Sequence, residues 1–178
     1  MTNIDIDAAR QIASRVAARS DIRDVRLLKT EAELNRQPEL AGGLSYELNT
    51  GIETVFKEGD DSFVVQVEYT LNITELSQQL VPDAATDDDE TESTEEPPAE
   101  QKIASIKFTH AGLFSLQMRE GDEPASSAEI EAYGQSTGLF ALYPYAREFV
   151  YNLTGRLGLP PLTLGVLRIA ADRPGSQD

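Results

Sequence analysis

The chain has 178 residues, 40% hydrophobic and 26% charged, with a formal net charge of -16, one histidine and no cysteine. That length and apolar fraction suit one globular domain with its own core, and the negative charge argues against nucleic acid or an anionic membrane surface as partner. Without cysteine there is no disulfide framework or thiolate metal site, and one histidine cannot build a zinc site from the usual ligands.

The first twenty residues hold no signal-peptide core, and no run approaches the length of a transmembrane helix. A soluble, cytoplasmic protein without membrane insertion is therefore expected. Ile4, Ala8, Ile12 and Val16 recur at helical spacing and predict an amphipathic helix from Asp5 to Arg19, within an N-terminal segment 1–20. "DVRLLKTEAELN" (Asp24 to Asn35) reads as a strand of weaker pattern, and "NRQPELAGG" (Asn35 to Gly43) as a loop.

Sharper alternation follows. "LSYELNT" puts Leu44, Tyr46 and Leu48 on one face. "SFVVQVEYTLNIT" puts Phe63, Val65, Val67, Tyr69, Leu71 and Ile73 on one face and Gln66, Glu68, Thr70 and Asn72 on the other. "PDAATDDDETESTEEPPAE" (Pro82 to Glu100) carries nine carboxylates and no base, and reads as a disordered, self-repelling loop 82–100. "KIASIKFTHAGLFSLQM" then puts Ala104, Ile106, Phe108, Phe114, Leu116 and Met118 in one parity, with Gly112 suggesting a bulge or a close backbone approach. Such alternation belongs to an antiparallel sheet with one buried and one wet face. Four strands followed by helix predict an α+β domain over 21–170, with a flexible tail at 171–178.

"PASSAEIEAYGQS" predicts a short helix capped by Ser126 or Ser127. In "FALYPYAREFVYNLTGRLGLPP", Pro144 belongs in a first turn, so a longer helix is expected to begin near Leu142 or Tyr143. Gly155, Gly158 and Pro160 end it. Leu142, Tyr143, Ala146, Phe149, Val150, Leu153 and Leu157 form a stripe that can cover the sheet. Tyr145, and Pro144 and Tyr151 beside Arg147, project elsewhere, so a second covering is expected from another subunit or an apolar ligand.

Chemistry is sparse. His110 shares the parity of Phe108 and Phe114 and reads as a core or interface residue; no nucleophile-elbow sequence accompanies it. Most carboxylate pairs lie in the acidic loop, and no glycine-rich phosphate cradle is visible. No catalytic residue, metal or cofactor is assigned.

The strand order and the motifs "AGLFSL" (Ala111 to Leu116), "ALYPYARE" (Ala141 to Glu148) and "GRLGLPPLTL" (Gly155 to Leu164), with "LSYELNT" at the second strand, resemble the SecB family of export chaperones. The resemblance covers about Val25 to Val166. It implies a four-stranded antiparallel sheet covered by a long helix, assembled as a homotetramer (a dimer of dimers). It also implies ATP-independent holding of unfolded preproteins in apolar grooves. Carried onto this sequence, groove residues are Leu28, Leu34, Leu44, Tyr46, Phe140 and Tyr143, and interface residues are Pro144, Arg147 and Tyr151. Contact with the SecA motor falls on Glu31 and Glu33. The added N-terminal helix and acidic loop, and a polar "TLGVLRIAADRPGSQD" where other members have a second helix, look more like SecB-like chaperones of actinobacteria. Some of those protect an antitoxin, so a dedicated antitoxin chaperone is the main alternative. A hot-dog thioesterase also wraps a sheet around a helix, but there the helix precedes most strands.

Overall fold

The computed structural model describes residues 6–38, 43–76, 101–118 and 120–167. The elements run α1 (Ile6–Ala17), β1 (Ser20–Leu34), β2 (Gly43–Val55), β3 (Ser62–Leu76), β4 (Gln101–Leu116), α2 (Ser127–Tyr133), a π-helical turn (Gly134–Gly138) and α3 (Leu139–Arg156). The acidic loop 82–100 and the tail 171–178 lie outside the described residues.

The four strands form one antiparallel sheet in the order β1-β4-β3-β2. The clearest alternation in the sequence makes the central strand β3: Phe63, Val65, Val67, Tyr69, Leu71 and Ile73 are all buried on one face. Register carries that face across the sheet in rows. One row is Tyr46, Ile73, Ala104 and Leu34; another is Ile52, Val67, His110 and Leu27. On β4 the even parity holds down to Ala104, where a bulge inserts Ile103, so both neighbours point into the core. On β1 two bulges, at Arg23 and Leu28, break the period, and the strand begins four residues earlier than the pattern predicts. The opposite face of β1 is a run of charge: Asp21, Asp24, Arg26, Lys29, Glu31 and Glu33.

The helical layer departs from the sequence expectation. Pro144 does not open a helix: α3 starts at Leu139, with Pro144 sixth in it. Ser126 caps α2 reciprocally with Glu129, and the chain then stays helical through the π-helical turn into α3. Glycines explain that turn. A Cβ on Gly134 would stand 2.5 Å from Thr54 Cγ2, and one on Gly138 3.1 Å from Val65 Cγ2. Two bare backbones four residues apart let the helix lie against the sheet. Pro144 sits on the outer, exposed side, where the loss of one N–H costs least.

Gly112 is the close approach that the sequence suggested. A side chain there would meet Leu142 Cδ2 and Phe114 Cε2, each at 2.8 Å. The core at that end is a cluster of Phe63, Phe114 and Tyr133 rings, with centroids 5.2–5.3 Å apart. α1 closes it with Ala9, Ala13 and Val16. Arg15 holds α1 in place: Nε donates to Glu129 Oε1 (2.8 Å) and Nη2 to Glu129 Oε2 (2.7 Å), with Glu123 at 3.0 Å. The Arg15 guanidinium, helped by the Ser126 cap, lowers the Glu129 pKa to about 2.

Candidate functional site

α3 lies across the centre of the sheet, and its two flanks are built differently. The flank toward β2 is closed by the chain itself. After Gly158, whose φ of +77° is open mainly to glycine, residues 158–167 turn back as an extended strap along α3. Leu159 and Leu164 are buried and Leu162 half-buried. Side chains satisfy the strap's backbone: Arg147 Nε donates to the Leu164 carbonyl (3.0 Å) and Tyr143 Oη to the Gly165 carbonyl (2.6 Å). The Gly165 N–H donates to Tyr46 Oη (2.7 Å), and the Leu162 N–H to Thr154 Oγ1 (2.9 Å).

The flank toward β1 has no such cover among the described residues. There Tyr145, Glu148, Phe149, Asn152, Leu153 and Arg156 of α3 line a cavity of about 420 Å³ with His110 at its wall. The facing edge of the sheet leaves Ile22, Leu27 and Leu28 40–53% exposed. The bulge at Leu28 sets two leucines against the single His110 of β4. His110 is 5% exposed, packed edge-on to Phe108 and Phe149 at 5.5 and 5.8 Å, and its Nδ1 has no partner. Burial lowers its pKa, so the ring is neutral at pH 7.

The six expected groove residues therefore do not share one groove. Leu44 and Tyr46 sit on the inner face of β2 and Tyr143 on the strap side of α3, and Tyr46 and Tyr143 meet at Gly165 of the strap. Leu28 stands exposed on the β1 edge, and Leu34 is half-buried at the end of that strand. Phe140 is half-buried, with the Arg10 guanidinium of α1 5.1 Å from its ring centroid. Of the expected interface residues, Pro144 and Tyr151 occupy the exposed ridge of α3, whereas Arg147 is engaged by the strap. Glu31 and Glu33 are exposed on the charged face of β1, with Glu31 paired to Lys29 at 2.8 Å. The strap itself was missed from sequence; the spacing of Leu159, Leu162 and Leu164 is the one signal that pointed to it.

Among the described residues no group of His, Asp and Glu is arranged to hold a metal, and no helix is long and apolar enough to cross a membrane. What the fold offers is apolar surface flanking a helix on a sheet, edged by backbone and side-chain hydrogen-bonding groups. Such surface is of the kind that meets another molecule. No protein-family model matches the chain. Full-length comparison does: the chain is 40% identical over 181 aligned positions to the SecB-like chaperone Rv1957 of Mycobacterium tuberculosis strain H37Rv, covering 97% of this chain and 91% of the relative. The same figures hold for the SecB-like chaperone MT2006 of M. tuberculosis strain CDC 1551. Among solved structures, that of Rv1957 in complex with a ChAD peptide from the Rv1956 HigA1 antitoxin superposes with a TM-score of 0.72 at 37% identity, over 90% of this chain and 99% of the other. The chain belongs to the SecB-like chaperones.

Proposed function

We propose that this chain is an ATP-independent holdase whose client is an antitoxin, bound as an extended, unfolded segment. The observation that carries the reading is the full-length similarity to a SecB-like chaperone that has been solved with an antitoxin peptide. The β2 flank of α3, with Leu44, Tyr46 and Tyr143, is the primary client groove; Leu28, Leu34 and Phe140 are secondary contacts. Burying one leucine contributes roughly 1.5–3 kcal/mol, so a client needs several such contacts acting together.

The broader version of the same activity is to keep preproteins export-competent in the cytoplasm and pass them to the SecA motor through Glu31 and Glu33. The bare β1 flank and the ridge of Pro144 and Tyr151 support assembly into a homotetramer, since a lone protomer rarely leaves such apolar surface uncovered. The test is suppression of aggregation of a heat-unfolded, unrelated enzyme without nucleotide, paired with light-scattering mass. Suppression with a tetrameric mass is expected; no suppression and a monomeric mass would overturn the holdase reading. A peptide from an antitoxin encoded beside this chain should bind more tightly than its scrambled form, and equal binding removes the dedicated role. Phe140→Ala should weaken client retention more than assembly.

A further inference from the structure

The strap 158–167 is held as a groove would hold a foreign peptide. No backbone ladder joins it to β2 among the described residues. Three side chains, Tyr46, Tyr143 and Arg147, bond the main chain of Leu164 and Gly165 instead. Such bonds read backbone and are indifferent to sequence. Side-chain recognition comes from Leu162 and Leu164, two residues apart and turned inward, while Thr163, Gly165 and Val166 stay exposed. Alternate residues of an extended chain point to opposite sides, so this is the pattern of any extended peptide seated in a one-sided trough. Pro160 and Pro161 keep the strap's entry extended, after the turn at Gly158.

We propose that the strap is a resident occupant of the client groove, which an incoming client must displace. The client class that fits is an extended segment with apolar residues at alternate positions. This rests on the holdase reading and adds to it a built-in competition. Only the fraction of molecules with the strap released is competent to bind, so the strap weakens apparent affinity and rejects clients without paired apolar anchors.

The test uses the full chain and fluorescently labelled, reduced and alkylated α-lactalbumin as client, titrated by anisotropy without nucleotide. Leu162→Ser with Leu164→Ser removes the anchors of the strap and changes no side chain of the sheet or of α3. The double variant should bind about three- to tenfold more tightly than the parent. In the parent, the Leu162 and Gly165 amides should exchange hydrogen faster when client is bound. Weaker binding by the variant, or strap amides better protected in the complex, would make the strap a fixed wall of the groove and overturn the proposal.

A second variant guards against misfolding. The chain has no cysteine, and the Leu162 N–H donates to Thr154 Oγ1 at 2.9 Å, so Thr154→Cys with Leu162→Cys is the pair chosen to lock the strap by a single disulfide, its formation checked by mass. The oxidised protein should bind at least about threefold more weakly than the same protein reduced; equal binding overturns the proposal. If neither parent nor variants bind any client, the holdase reading itself falls. Binding with an undisturbed strap removes only the competition.

Discussion

The two flanks of α3 share one helix and one sheet yet end in opposite states. Toward β2, a strap buries Leu159 and Leu164 and meets its backbone polar groups with Tyr46, Tyr143 and Arg147. Toward β1, leucines stay exposed and the His110 Nδ1 is unpartnered beside a cavity. Among the described residues, the strap covers one flank of α3 and leaves the other without a comparable cover.

The strongest way to break this comparison is the same exchange on both flanks. Leu164→Ser puts a hydroxyl in a fully buried site and opens a cavity; it should lower the unfolding free energy by about 2–3 kcal/mol in a urea titration. Leu27→Ser, at a position 42% exposed, should change stability by less than about 0.5 kcal/mol but reduce the mass of the assembly in light scattering. Equal stability losses would mean that the β1 flank is core, and an unchanged mass would mean that no second copy rests there.

Much of this layout was written in residue order, and the failures have physical causes. β3 was legible because both of its neighbours are strands and one of its faces is wet, so every second residue answers to the core. β1 was not, because it is an edge strand whose bulges at Arg23 and Leu28 reset the parity twice. The start of α3 was misplaced by treating Pro144 as an opening residue. The glycines that carry the helix past it, Gly134 and Gly138, look like breakers in sequence, and only the nearness of Thr54 and Val65 reveals their use. The strap hid for the same reason: "GLPPLTLG" has the composition of a terminator, and its leucines acquire meaning only beside Tyr46 and Tyr143. Phe140 looked free until Arg10, 130 positions away, was folded over it.

A smaller effect sharpens the contrast by loosening the frame without touching either flank. The strap is pinned by Tyr46, Tyr143 and Arg147, with no carboxylate among these hydrogen bonds. The Arg15–Glu129 clamp on α1 does titrate. Because the pKa of Glu129 is depressed in the fold, its contribution is present above the ordinary carboxylate value and is lost as pH falls from about 4.5 toward about 2. The pair is partly exposed and screened by solvent, so its contribution is modest. Glu129→Gln should therefore lower stability at pH 7 and lower it clearly less at pH 2.5, measured by denaturant midpoints. A constant loss across this range would assign the effect to the Ser126 cap rather than to the ion pair.

The smallest expected effect tests who covers the β1 flank. His110 is walled by Phe108, Phe149 and Tyr69 rings; the titratable groups at its cavity are Glu148, Arg156 and Tyr145 of α3, and β1 offers only Leu27 and Leu28 opposite it. Its pKa is lowered by burial, so its contribution is present above the ordinary value of about 6.5 and disappears as pH falls through the lowered one. A second copy seated on the flank would remove more water from the ring and widen that window. Assembly of the parent should then weaken between pH 7.5 and pH 5.5, seen by sedimentation velocity, while His110→Phe, which keeps a ring among rings, should stay assembled. Parallel weakening in both proteins would leave His110 facing solvent in the assembly, and the β1 flank would then be open surface for a client rather than a seam between copies.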